Sequence, residues 1–458
     1  MNTSQIIVLL FGILYFAFLL RTRRKGDFED FSVAGRSVGL FLIFASICAT
    51  YIGPAMTMGL TRDGFTDGLF LTYIATAGGF AMMAVAFFFA PKVRAKFEHS
   101  YSIGDVIAGA KTHNHRTVKI AVGLISAWLM ASITIAMSYA GGEIVNNAFG
   151  FSKSWSIVII TLIVITYSFF GGIRASIQTD AIQFSLFVVL IPLLAILLVA
   201  DHAFSWSDFQ THAFAATKRK FEAETLTSMF GLLLFWILHT AGLDAPIVNR
   251  FLAAKNIRVT RNATALAGLF FVFWIVLMVF IGSAGAYLHP DFPNDDQVLL
   301  KIAAVYFPDF LYGIFLIALI GVVMSTQDSA INMAAIAFSE DVMGGFQPHL
   351  SNRQKLRYAK IFMVAVGVLA IFVAGFFTSI LQVIIVIFSF YIPVMIPVTL
   401  FAVLKKGAYH WQAAIAAMSV GLITNFAWST FGNDILPTVF VGMLASALAY
   451  WIVDRFID

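Results

Sequence analysis

The chain has 458 residues, of which 60% are hydrophobic and only 12% charged, and its formal net charge is +5. Soluble globular chains are nearer a quarter charged, so this composition excludes a soluble fold and indicates an integral membrane protein. A single cysteine, Cys48, leaves no internal disulfide and no thiolate metal site.

Apolar runs of spanning length recur from end to end and predict thirteen helices: a leader followed by spans 1 to 12. The leader covers about Ile6–Leu20. It lacks a basic residue before the apolar run and is followed by Arg21, Arg23, Arg24 and Lys25, the order expected of a retained helix rather than a cleaved signal. Span 1 is Gly39–Leu60, span 2 Leu69–Val93, span 3 Thr117–Phe149, span 4 Trp155–Gly171, span 5 Gln178–Val199 and span 6 Thr227–Asn249. Span 7 is Ala265–Tyr287, span 8 Pro308–Val342, span 9 Tyr358–Phe377, span 10 Ile380–Leu404, span 11 Trp411–Phe431 and span 12 Leu436–Val453. With the amino terminus outside, only Arg62, Lys153, Lys218, Arg219, Lys220 and Lys301 of the 29 basic residues fall outside. That bias predicts a multi-pass protein of the plasma (inner) membrane with its carboxyl terminus in the cytoplasm. The net positive charge is spent on orientation, and no nucleic-acid partner is implied. No obligate protein partner is readable.

Two spans are interrupted. Span 1 carries Gly53-Pro54 at its middle, where Pro removes a donor and pushes the preceding residue out of the helical region. Span 6 carries Gly242-Leu243-Asp244-Ala245-Pro246. Span 1 opens one group of five spans and span 6 the next, and broken spans at matching places in two halves point to an inverted-repeat secondary transporter. Ordinary proline kinks are the alternative. The expected division is a leader and basic link over 1–38, a first repeat over 39–201, a second over 202–404, and two accessory helices over 405–458.

Span 8 carries the chemistry. Within Gly321–Asn332, Ser325 lies three residues before Asp328 and four before Ser329, so the three share a helix face. A carboxylate in mid-membrane faces a cavity or a partner, and hydroxyls beside it suit a small hard cation. From the residues alone a second reading stands equally: the hydroxyls bond back to carbonyls of their own helix.

The link between spans 4 and 5, Gly171-Gly172-Ile173-Arg174-Ala175-Ser176-Ile177-Gln178-Thr179-Asp180-Ala181-Ile182-Gln183, resembles the Gly-Gly…Ala…Thr-Asp…Gln signature of the sodium:solute symporter family. Ala34-Gly35-Arg36, Asn249 to Lys255 and Met324-Ser325-Thr326 with Asp328-Ser329 match the same family in order along nearly the whole chain. The resemblance implies an all-α membrane protein with an inverted five-plus-five helix repeat that couples inward sodium movement to uptake of a small organic solute by alternating access. It implies one Na+ held by the carbonyls of Ala49, Ile52 and Val322 and the hydroxyls of Ser325 and Thr326. Some members have a second sodium site, whose matches here are Asp180, Ser325 and Ser329, with Asp328 standing where a hydroxyl is expected. Asp180 also reads as a charge at the start of span 5. A proton-coupled carrier of the same fold and a transporter-like sensor are the alternatives, although the chain ends at Asp458, just past span 12.

The solute is expected at mid-membrane between the broken spans, with candidates Thr50, Tyr51, Thr57, Tyr73, Thr76, His239, Asp244 and Tyr391. A lone histidine such as His239 also reads as a packing residue. No Arg or Lys is expected at mid-span to pair with an anionic solute. Enzyme chemistry is not expected, since the chain has no phosphate loop, no HExxH and no nucleophile elbow.

Overall fold

The computed structural model describes residues 5, 6, 8, 10, 12, 27–109, 115–376, 380–405, 409–432 and 436–457. Most of the leader, its basic run at 21–25, Lys111 and Lys406 lie outside the described residues. The described residues form α-helices, short 3₁₀ and π turns, and one isolated bridge. Ten helices are long and apolar enough to cross a membrane, and the bent pair in span 1 makes an eleventh. One of the ten, Lys153–Val199, has 47 residues, which at 1.5 Å per residue is about twice a bilayer core, so it accounts for two of the spans expected from sequence. The described residues therefore hold twelve spans. The thirteenth of the sequence reading is the leader.

The breaks fall where local chemistry puts them. In span 1 the helix Leu40–Tyr51 ends at Ile52, and Pro54 precedes a π turn over Ala55–Gly59 that continues as Leu60–Asp67. The two halves are bent by 67°. In span 6 the helix Leu226–Thr240 stops before Gly242, whose φ of +68° is in the left-handed region. The Asp244 side chain then caps a new helix, Ala245–Ala253, by accepting from the Ile247 amide, and Pro246 sits in the first turn, where its missing donor costs nothing. Spans 4 and 5 are joined at Gly172, with φ +57° and ψ −157°.

The start of span 1 is tied to the end of span 6 by backbone bonds: Val38 donates to the Ala253 carbonyl at 3.2 Å, and Lys255 donates to the Val38 carbonyl at 2.9 Å. An entry joined to an exit means that the two broken spans run in opposite directions across the membrane, the relation that an odd number of spans per repeat produces. Span 7, Ile257–Leu288, lies against spans 1 and 2 at glycines. A Cβ on Gly282 would sit 2.0 Å from the Thr61 carbonyl, and one on Gly79 would sit 2.7 Å from the Gly268 carbonyl. Small residues at helix crossings are how membrane helices gain close packing without a hydrophobic drive between them.

One segment differs from the sequence reading. His202–Glu224, expected as a polar connection, contains a helix over Trp206–Ala223 capped by Ser205. It buries Phe209, Ala213 and Thr217, and the Thr217 hydroxyl accepts the Leu69 amide at 2.8 Å. The helix thereby ties down the link between spans 1 and 2.

Gly172 gives a direct test of the joint. Any side chain there must adopt a backbone region open essentially to glycine and would place Cβ 2.5 Å from the Phe31 ring and 2.8 Å from the Phe31 carbonyl. Gly172→Ala is expected to lower stability by about 1–3 kcal/mol, read as a lower melting temperature of the purified protein. An unchanged melting temperature would show that the joint relaxes freely.

Candidate functional site

The break in span 1 frees carbonyls in the middle of the protein, and span 8 answers them. Ser325 Oγ donates to the Ala49 carbonyl at 2.8 Å and to the Val322 carbonyl at 3.0 Å. Thr326 Oγ1 donates to the Thr50 carbonyl at 3.0 Å and to the Val322 carbonyl at 3.3 Å. Ile52, fully buried, caps the end of the first half-helix with ψ +65°, so the chain turns away from helical geometry at that residue. The back-bonding reading of the span 8 hydroxyls is the one this geometry shows, with a further bond from each across to span 1. They bond back to their own helix at Val322 and across to span 1 at Ala49 and Thr50.

Beside this cluster lies a buried ionic network. Arg250, on the second half of span 6, has 0% exposure. Its Nη2 donates to Ser329 Oγ at 2.5 Å, Thr50 Oγ1 at 3.1 Å and Asp180 Oδ2 at 3.4 Å, and its Nε donates to Ser46 Oγ at 3.0 Å. Ser46 in turn donates to Asp180 Oδ2 at 2.5 Å. Asp328 accepts from the Tyr167 hydroxyl and from Ser176 Oγ, each at 2.8 Å, and from Ser329 Oγ at 3.3 Å. Of the four residues considered for a second cation, Asp180 and Ser329 touch the guanidinium, Asp328 meets it through Ser329, and Ser325 turns to the span 1 carbonyls.

Arg250 is what the sequence reading missed. Its place at the end of span 6 groups it with the cytoplasmic basic residues, yet it lies only six residues, about 9 Å, beyond the break at Asp244. The signal that would have found it is the helix start at Asp244-Ala245-Pro246, which places Arg250 in the second turn of a buried half-helix. Tyr167, Ser176 and Ser46 were also passed over, because hydroxyls in apolar helices are common and carry no spacing of their own.

Next to the break in span 1 is a cavity of about 60 Å³. Thr50, Tyr51, Asp244, His239 and Thr326 line it, with Met130, Met137 and Phe388 among its apolar walls. The Tyr51 hydroxyl donates to Asp244 Oδ2 at 2.6 Å, joining the two broken spans. The His239 ring lies edge-on to Phe388, with centroids 4.3 Å apart, and its Nδ1 is buried without a hydrogen-bond partner among the described residues. Solute sites run to about 300–1,000 Å³, so this space is too small for a solute unless flexible walls such as Met130 and Met137 give way.

The remaining solute candidates lie elsewhere. Tyr391 is buried beside the cavity, with its hydroxyl donating to the Leu243 carbonyl at 3.5 Å. Thr57 bonds back to the carbonyls of Gly53 and Pro54, and Thr76 to that of Thr72. Tyr73 is 57% exposed and contacts Phe221 of the helix Trp206–Ala223.

Tyr167→Phe removes one charge-assisted donor from buried Asp328. It is expected to cost on the order of 1–3 kcal/mol, read as a lower melting temperature. A variant as stable as the parent would mean that this hydroxyl does not hold the carboxylate.

A model of the Sodium:solute symporter family matches residues 31–421. The chain is 24% identical over 474 residues to an osmoregulated proline transporter of Bacillus subtilis, covering 98% of this chain and 95% of the relative. It is 24% identical over 467 residues to a sodium/proline symporter of Escherichia coli, covering 95% and 90%. Among solved structures, a substrate-bound, outward-open Na+-coupled sialic acid symporter superposes with a TM-score of 0.84 at 19% identity, covering 99% of this chain and 98% of that one. A nucleobase-cation-symport-1 family transporter in a closed conformation superposes with a TM-score of 0.62 at 16% identity, covering 93% and 94%.

Proposed function

Because the chain belongs to the sodium:solute symporter family, and is therefore a sodium-coupled solute carrier of the membrane and not an enzyme, we propose that its sodium binds where spans 1 and 8 meet. The ligands are the carbonyls of Ala49, Ile52 and Val322 and the hydroxyls of Ser325 and Thr326. The observation that carries this reading is the convergence of both hydroxyls on the Val322 carbonyl, with Ser325 also 2.8 Å from the Ala49 carbonyl. All of these are oxygen donors, the ligands that hard cations take. Each hydroxyl now donates to a carbonyl. With sodium present its hydrogen swings aside and its lone pairs face the ion.

The solute occupies the neighbouring cavity between the two breaks. Its walls are apolar except at Thr50, Tyr51, His239, Asp244 and Thr326, which suits a small, mostly apolar body carrying one cationic group for Asp244. A proline-like amino acid has that shape, and proline names the relatives in Bacillus subtilis and Escherichia coli. The two repeats over 39–201 and 202–404 rock about this site to open it alternately to each side, with 405–458 as accessory helices. The basic residues orient the chain in the plasma membrane with its amino terminus outside and carboxyl terminus in the cytoplasm. Each sodium entering adds about 2.3 kcal/mol per 100 mV of membrane potential to its concentration gradient.

Ser325→Ala and Thr326→Ala are each expected to raise the sodium concentration for half-maximal proline uptake into proteoliposomes by about tenfold, the equivalent of roughly 1.4 kcal/mol. Uptake unchanged at limiting sodium in both variants would sink the site. For the solute, proline is expected to raise the melting temperature only when sodium is present, since a ligand that binds the folded state alone stabilises it by mass action. No shift in either salt would dismiss the proline-like assignment while leaving the sodium site standing.

A further inference from the structure

We propose that Arg250 is a built-in cation occupying the place of a second sodium, so that each transport cycle binds one ion. This inference rests on the first sodium site as assigned above. The oxygens that a second sodium would need are Asp180, Ser329 and their neighbouring hydroxyls, and these same oxygens hold the Arg250 guanidinium. A guanidinium with 0% exposure is planar, permanently charged and carries its donors in a fixed fork. It bonds to spans 1, 5 and 8 from its place on the second half of span 6. Sodium and the fork both draw on the lone pairs of Ser329 Oγ and Asp180 Oδ2, and their like charges oppose each other at this spacing.

The charge count explains Asp328. With both carboxylates ionised, Asp180 and Asp328 bring two negative charges into this network and Arg250 returns one. One negative charge is left over, held by the hydroxyls of Tyr167, Ser176 and Ser329. Asp328 stands one helical turn from Ser325 on span 8, which is the turn that supplies the sodium ligands. Arg250 therefore neutralises Asp180, and sodium at the neutral first site neutralises Asp328 across that turn. Asp328 is a positioning charge for the ion and not one of its ligands. The guanidinium also ties the second half of span 6 to spans 1, 5 and 8, a linkage that a diffusible ion would provide only while bound.

The test is equilibrium binding of radioactive sodium to the purified full-length protein in nanodiscs, counted in ions per chain at saturation. One ion is expected, and two would overturn the proposal alone. No saturable binding would overturn the first sodium site and this inference with it. Arg250→Ala, checked for a monodisperse folded protein, is expected to bind two ions, and a count of one would overturn the proposal. Asp328→Ser is expected to keep a count of one with about a hundredfold weaker affinity, the scale of a single charge acting over one helical turn at the effective dielectric of a protein interior. Unchanged affinity would overturn the role of Asp328. The parent count and Asp328→Ser decide the question even if Arg250→Ala does not fold.

Discussion

Backbone carbonyls freed inside a membrane must find a donor or a cation, because hydrocarbon offers neither and each group left bare costs several kcal/mol. The rest of this site follows from how that demand is met at two breaks. Pro54 removes the amide that would have capped the turn before it, and the carbonyls around Ala49–Gly53 lose their helical partners. Span 8 then supplies hydroxyls, Ser325 to Ala49 and Thr326 to Thr50. Thr57 bonds the Gly53 carbonyl, and Trp274 reaches from span 7 to the carbonyl of Met56 in the π turn. At the second break Tyr391 answers the Leu243 carbonyl and Asp244 caps the restarting helix. Hydroxyls suit this task better than amides because the same atom either donates a hydrogen or offers a lone pair. An arrangement satisfied without an ion is thereby ready to take one.

The buried charges obey a second constraint. Taking an arginine and two aspartates out of water costs several kcal/mol per ion, and attraction repays it only where hydrogen bonds satisfy the remaining donors and acceptors. Here five hydroxyls do so: Ser46, Thr50 and Ser329 around Arg250, and Tyr167 and Ser176 around Asp328. Spans 1, 4, 5, 6 and 8 all contribute to this one network, so movement of any of them disturbs it. Asp180 Oδ1 remains without a hydrogen-bond partner among the described residues, and the network is thus held more tightly on its Arg250 side.

The sequence made the breaks legible because Gly-Pro and Gly-Leu-Asp-Ala-Pro act through neighbours along the chain, a local effect that needs no knowledge of packing. The pairing of spans 1 and 8 came from family motifs, and the hydroxyl contacts place those residues together. What stayed hidden depended on which way a helix turns. Span 2 is apolar all round, so nothing along it says that Tyr73 looks outward or that Thr76 bonds to its own helix. The helix Trp206–Ala223 was hidden because its stripe is narrow, with Phe209, Ala213 and Thr217 among polar residues. Arg250 was hidden by a rule that is right on average. Basic residues near span ends do mark the cytoplasmic side, but a half-helix of nine residues ends inside the protein, so its charge belongs to the interior.

Coupling between ion and solute needs a part that both sites share, and here it is five consecutive residues. Ala49 and Thr50 offer carbonyls to Ser325 and Thr326, and the Thr50 side chain meets Arg250 and Ser329. Tyr51 lines the cavity and bonds Asp244 across to span 6. Ile52 ends the helix, and Gly53 passes so close to span 8 that a Cβ there would stand 2.9 Å from Thr326 Oγ1. Three of these residues are each tied to another span, Ala49 and Thr50 to span 8 and Tyr51 to span 6. Under the proposed ligation, an ion on the Ala49 and Ile52 carbonyls would sit on either side of Tyr51, whose hydroxyl bonds Asp244 of the second broken span. At the sites proposed above, the sodium and the solute would share the residues from Ala49 to Gly53, less than two helical turns of one chain.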